Sequence, residues 1–171
     1  MSLVGGKWTT FRRFAEEAAD KALSRLGGTR RTSTADLRTG GSKAFPDDRS
    51  VWTIAHAKAH GLSARRADVL LSRYGTTVAT VMAHTGPSGA LEDAPDYSLS
   101  ELDWLLRHEQ VRHLADLIVC RTTLAITGHL THGNLTQIAA LATQTLGWTQ
   151  RPAEAGVAAM NALTEKHLIR F

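Results

Sequence analysis

Residues 98–120 read SLSELDWLLRHEQVRHLADLIVC. Leu102, Leu105 and Leu106 recur at three- and four-residue steps, and Val111, Leu114, Leu117 and Ile118 resume the pattern. This is the period of a helix with one apolar face. Ser98 and Glu101 stand in the Ser-x-x-Glu relation of a capping box, so a helix is predicted to begin there. A second helical stretch, continuous with the first or bent from it, is predicted to reach about Cys120.

Working outward, ITGHLTHG (126–133) interrupts the pattern. Asn134 is predicted to cap a helix carrying Leu135, Ile138, Ala139, Ala142 and Leu146 and ending at Gly147. Pro152 suits the first turn of a last helix with Val157, Met160 and Leu163. Upstream, GPSGALEDAPDY (86–97) reads as a loop. Before it three short helices are expected: one capped by Ser50 and running to about His60, one capped by Ser63 and stopping at Gly75, and one starting at Thr76 or Thr77 and ending near His84.

Further upstream, TRRTSTADLRTGGSKAFPDD (29–48) is rich in turn formers and reads as a long loop or linker. Phe11, Phe14, Ala15, Ala18, Ala22 and Leu26 mark another helix, opened by Thr9 or Thr10 and closed by Gly27-Gly28. The fold class predicted is all-α: a single helical domain of about seven or eight helices with two long loops. No internal repeat is seen.

Composition agrees. The 171 residues are 43% hydrophobic but only 6% aromatic, the apolar content of helix interfaces rather than β-sandwich cores. The one cysteine cannot form an internal disulfide, and no secretory signal is visible, which leads us to expect a cytoplasmic setting. LADLIVC is broken by charge well short of the 18 or so residues of a membrane span. The net charge of +4 is uneven: residues 1–75 carry 14 Lys and Arg against 7 Asp and Glu, and the rest 6 against 9. A basic half suits an anionic partner, although dispersed Arg and Lys on solvated helix faces is the commoner explanation.

The segment GGKWTTFR (5–12) is the most informative chemically. Two glycines let backbone approach a flat ligand, Lys7 offers a mobile cation, and the helix that follows turns its free N–H groups and positive dipole end to the same place. Taken alone, a Gly-Gly turn before a helix is mostly just a turn, and neither GxGxxG nor a P-loop accompanies it. His56 and His60, spaced i, i+4, lack the Glu of HExxH and a third ligand, so no metal site is expected and solvent-facing histidines are. His129 and His132 read as surface loop residues, and Cys120 as a small core residue. Arg121-Thr122, Asp116 and Glu109 read as a structural network. GLSARRADVLLSRYG (61–75) resembles a helix-turn-helix with Arg65-Arg66 opening the second helix. Those arginines lack an adjacent base-reading Asn or Gln, so a nucleic-acid-binding module using the basic half is the alternative reading and no nucleic acid is the expectation.

Three blocks in order, GGKWTTFRRFAEEA, LLSRYGTTVATVMAH and SELDWLLRHEQVRHLADLIVCRTTLAI, resemble the C-terminal helical domain of the FAD-dependent, aerobic-type glycerol-3-phosphate dehydrogenases. The similarity covers nearly the whole chain from Val4. It implies a parent enzyme that oxidises sn-glycerol 3-phosphate to dihydroxyacetone phosphate, passing hydride to FAD and electrons to the membrane quinone pool. The flavin-binding βαβ unit would lie upstream, so the chain by itself is expected to hold no FAD and no catalytic residue. The resemblance places Gly6, Lys7, Trp8 and Thr9 at the flavin, with Lys7 also reaching substrate. Residues 1–10 would then be the end of the flavin domain (1–3 an appended start), 11–28 a connecting helix, 29–49 a linker and 50–171 the helical domain. Implied partners are the chain's own FAD-binding domain and, through the whole enzyme, membrane quinone at the inner face of the cell membrane. A homodimer is compatible with the resemblance.

Overall fold

The computed structural model describes residues 7–84, 86, 88–148 and 150–165; for residues 8, 150–153 and 163–165 it describes the backbone alone. The chain divides into two compact units, Met1–Ala44 and Phe45–Phe171.

In the first unit a 3-10 turn, Trp8–Thr10, leads into α1 (Phe11–Arg25), which stops at Leu26 before Gly27 turns at φ +72°. The linker that follows is strapped to the helix. Ser33 Oγ and the Thr34 N–H each donate to Glu16 Oε1 at 2.9 Å, and Arg30 Nε donates to Asp20 Oδ1 at 2.8 Å. Glu16 is the buried residue of α1.

The second unit opens with α2 (Arg49–His60), α3 (Ala64–Tyr74) and α4 (Val78–Ala83). Ser63 caps α3 as expected, accepting from the Arg66 N–H, whereas α2 is capped by Asp48, two residues before Ser50. A carboxylate held fast at the N-terminus satisfies an orphan amide and complements the helix dipole. Gly61 adopts φ +64° after α2, a left-handed cap that a side chain would strain.

Part of the expected second loop is an antiparallel hairpin, β1 (Ala90–Leu91) and β2 (Ala94–Ser98), so the fold is mostly helical with one small sheet. Leu91, Ala94 and Tyr97 are buried, while Glu92 and Asp93 stay in solvent at the turn. Two strands this short give little periodicity to read, and Pro95 argues against a strand unless it lies at an edge.

Ser98 then caps α5 (Leu99–His108), accepting from the Glu101 N–H at 3.2 Å. The helix does not continue to Cys120. It ends at His108, Gln110 turns at φ +53°, and a separate π-helical turn runs over Asp116–Arg121. α6 (His132–Leu146) and α7 (Gln150–Glu165) follow, giving seven α-helices among the described residues. The cap of α6 is Thr131, which accepts from the Asn134 N–H at 3.1 Å, and not Asn134 itself.

Leu102, Leu105, Leu106, Leu114, Leu117, Ile118, Leu124, Leu135, Ile138 and Met160 pack one core between α5, the π turn, α6 and α7. Each such side chain contributes about 1.5–3 kcal/mol by leaving water. A smaller cluster of Leu70, Leu71, Val78 and Val81 lies under α2, α3 and α4. Tyr74 and Trp104, edge to face at 5.9 Å, pack against both clusters.

Candidate functional site

Among the residues singled out for ligand contact, Gly6 lies outside the described residues, as does the side chain of Trp8. Lys7 and Thr9 are exposed. The Lys7 carbonyl accepts from the Thr10 N–H at 3.2 Å and from Thr10 Oγ1 at 3.1 Å, which closes the 3-10 turn and spends the Thr10 hydroxyl away from the helix. Thr10 therefore makes no side-chain cap, and the first turn of α1 contains no acid but Arg12 and Arg13. Cations at the positive end of a helix oppose its dipole. Both arginines find carboxylates one turn on, Arg12 at Glu16 (2.8 Å) and Arg13 at Glu17 (3.1 Å), which leaves Lys7 exposed beside the uncapped helix start.

Glu16 gathers the nearest charges of that helix. Arg12 Nη1 lies 2.8 Å and Arg30 Nη1 3.1 Å from its carboxylate. The Thr34 N–H and Ser33 hydroxyl outweigh the cost of burial and hold the Glu16 carboxyl down at about 2.

In the second unit the structure brings together two buried carboxylates of α5 whose role the sequence hid. Glu101, 1% exposed, accepts from Arg73 Nη1 at 3.0 Å and from Tyr74 Oη at 2.6 Å, and pairs with Arg66 Nη2 at 2.5 Å. Arg66 also donates to the Asp96 carbonyl and to Ser98 Oγ, and Arg73 lies over the Tyr97 ring at 3.6 Å. Burial, with the charge of Glu101 beside it, pushes the Tyr74 hydroxyl well above its ordinary range, so it stays a neutral donor. Two residues along the chain and on another side of α5, Asp103 accepts from Arg107 Nε at 2.9 Å and Thr145 Oγ1 at 2.5 Å and contacts His84 Nε2 at 2.7 Å. Burial pushes the Asp103 carboxyl up, but Arg107, Thr145 and His84 together outweigh it and hold it at about 2. Both carboxylates are saturated, Asp103 in part by Arg107 of its own helix and otherwise by partners from other elements, which suits holding α3, β2, α4 and α6 in place rather than turning over a substrate.

The signal for Glu101 was present in the sequence but carried two readings. As the fourth residue of Ser-x-x-Glu it looked like a capping residue, yet only its N–H takes part in the cap. Arg66 and Arg73, two turns apart on α3, put two cations on one helix face.

Arg66 faces inward and is 15% exposed, while Arg65 pairs with Asp96 at 3.4 Å, so the two arginines are not presented together as a helix-turn-helix would need. His56 is half-buried, stacked on Trp52 at 3.7 Å, and only His60 faces solvent fully. Among the described residues no group of His, Cys, Asp or Glu could hold a metal ion. Cys120 is exposed at the end of the π turn rather than in the core, because the change of helical pitch there rotates it outward. Arg121 reaches the Glu109 carbonyl at 3.1 Å and its carboxylate at 3.5 Å, while Asp116 accepts instead from the N–H groups of Arg112 and His113 at 3.0 and 2.9 Å.

The family model of the C-terminal domain of alpha-glycerophosphate oxidase matches residues 31–153. A glycerol-3-phosphate dehydrogenase of Mycobacterium leprae is 26% identical over 179 residues, covering 99% of this chain and 30% of that protein. Glycerol-3-phosphate dehydrogenase 2 of Mycobacterium tuberculosis H37Rv is 27% identical with the same coverage. The mitochondrial glycerol-3-phosphate dehydrogenase of Saccharomyces cerevisiae is 30% identical over 79 residues, 44% of this chain and 12% of its own. The chain spans 30% of the length of the mycobacterial relatives it matches. With the family model matching well over half of its length, the chain belongs to the family of the C-terminal domain of alpha-glycerophosphate oxidase.

Proposed function

We propose that the chain is the C-terminal helical part of a flavin-dependent glycerol-3-phosphate dehydrogenase, and that the complete polypeptide converts glycerol 3-phosphate to dihydroxyacetone phosphate. The observation that carries this reading is the run of similarity to named glycerol-3-phosphate dehydrogenases along 99% of the chain, the Lys7 segment included. The two saturated carboxylates of α5 support a scaffolding role for residues 45–171, since neither leaves a free acid or base.

The described part of residues 7–13 fits a flavin edge: the helix start lacks a side-chain cap, has no acid in its first turn, and has Lys7 and Thr9 exposed beside it. We assign Gly6, Lys7, Trp8 and Thr9 to the flavin and Lys7 also to the substrate. Bound there, FAD would accept the hydride taken from glycerol 3-phosphate. The Lys7 ammonium would attract the phosphorylated substrate and, with the dipole end of α1, favour negative charge at one place. The membrane quinone pool as electron acceptor, a peripheral place at the inner face of the cell membrane and a homodimer belong to the same proposal. Among the described residues no helix is long and apolar enough to cross a membrane.

The test is to purify both the 171-residue chain and the complete polypeptide. The complete polypeptide is expected to be yellow and to reduce a redox dye only when glycerol 3-phosphate is added, and the chain to be colourless and inert. Stoichiometric flavin on the chain alone, or a complete polypeptide without glycerol 3-phosphate-dependent reduction, would overturn the proposal.

A further inference from the structure

Between the segment that follows α5 and the first turns of α7 lies a cavity of about 400 Å³. Clefts that hold small ligands span roughly 300–1,000 Å³. Buried Leu114 lines it from the core, and Ala155, Gly156 and Ala159 line it from one side of α7. Gly156 lets that helix come close, since a Cβ there would lie 2.9 Å from Leu114 Cδ1. Helix packing accounts for the glycine but not for the space beside it. Ala155 and Ala159 stay exposed, and Trp148, which follows the left-handed turn at Gly147, lines the cavity only half-buried against the core. An indole left partly in water beside an apolar hollow gains from an apolar body that covers it.

The charged lining has one sign. Arg112 and His113 supply it, and none of the described lining residues is acidic. Both follow the turn at Gln110 and are pinned through the backbone, where their N–H groups donate to Asp116 Oδ2 at 3.0 and 2.9 Å. Asp116 Oδ2 also lies 3.4 Å from His113 Nδ1, so that carboxylate is engaged by two amides and the imidazole. The Arg112 guanidinium pairs with no carboxylate among the described residues, and its planar fork matches a carboxylate or phosphate. We propose that this cavity binds a small amphiphilic anion, a carboxylate or phosphate on an apolar body, with its head at Arg112 and its body over Leu114 and against Trp148. Every residue so used lies between 112 and 159, so the site holds whether or not the complete polypeptide carries a flavin.

Fluorine resonance of the complete polypeptide, labelled with fluorotryptophan, tests this, the signal lost in Trp148→Phe being the reporter. Decanoate below its micellar concentration is expected to shift that signal saturably. Decyltrimethylammonium, with the same tail and the opposite charge, should need at least about tenfold more for the same shift. Arg112→Gln should raise the decanoate concentration at half-shift by at least about tenfold and leave the response to decyltrimethylammonium unchanged. Ala159→Leu, which fills the cavity, should abolish the shift; where that variant does not fold, the Arg112→Gln comparison decides. No shift with decanoate, or an equal response in Arg112→Gln, would overturn the proposal. Equal response to the two amphiphiles would also overturn it, reducing the cavity to an apolar surface without a site for the head. Phosphatidylglycerol vesicles present an anionic head held in a bilayer, and a shift with them but not with decanoate would overturn it in favour of a membrane contact.

Discussion

Arg73 of α3 and Glu101 of α5, 28 residues apart, meet with Nη1 3.0 Å from Oε1 in a site where the carboxylate is 1% exposed. Arg66 and Tyr74 complete the shell, so each of Glu101's oxygens is engaged. Removing the carboxylate leaves two cations half-buried without a counter-charge. Glu101→Ala is therefore expected to cost about 3–5 kcal/mol of unfolding free energy in urea titration. A cost under about 1 kcal/mol would show that the two guanidinium groups find water and that the cluster does not hold α3 to α5.

Asn134 links three points of the chain. Its Oδ1 accepts from the Asp93 N–H at the hairpin turn at 3.2 Å, and its Nδ2 donates to the His129 carbonyl at 2.8 Å. The side chain is fully buried, so no water replaces it on truncation. Asn134→Ala should destabilise the chain by about 1–3 kcal/mol, the cost of leaving buried groups unsatisfied. Hydrogen exchange offers the second reading: the Asp93 amide should lose protection before the core of α6 does.

The pH dependence of stability follows from Asp103. Its folded carboxyl is held at about 2, below the ordinary unfolded value near 3.9. A depressed folded value gives stability that is fully present above about pH 4 and is lost as pH falls from about 4 toward 2. Glu16, also held at about 2, acts in the same direction and window. Asp103→Asn lowers stability at neutral pH, because Arg107 loses its charge partner, but it flattens the decline between about pH 4 and 2. An unchanged slope in that window would assign the acid sensitivity to other carboxylates.

The helices were legible where their chemistry was local. Ser63 and Ser98 at helix starts, glycines past helix ends and the Leu102–Leu106 spacing each act over a turn or two, and each reads directly from the sequence. The misreadings came where a partner far along the chain decides the outcome. Asp48, Ser50, Thr131 and Asn134 are all competent caps, and tertiary placement chose Asp48 and Thr131 and sent Asn134 inward to Asp93. The start of the linker after α1 has no period to read because Glu16 and Asp20 organise it, through Arg30, Ser33 and Thr34. The hairpin escaped notice because Leu91, Ala94 and Tyr97 owe their burial to the helical core rather than to any strand-length pattern. For the candidate site the sequence supplied Lys7 and its helix, whereas the flavin assignment came through resemblance, since the atoms that would complete the site are not in these 171 residues.

The central claim is that Lys7 serves a glycerol 3-phosphate site completed by the rest of the polypeptide, and Lys7→Met tests it most directly. Lys7 is exposed in the chain, so the replacement should leave the chain's stability nearly unchanged. In the complete polypeptide, loaded with FAD, kcat/KM for glycerol 3-phosphate is expected to fall at least about tenfold, equivalent to about 1.4 kcal/mol of transition-state binding. Turnover equal to that of the unmodified enzyme at full flavin occupancy would contradict the account.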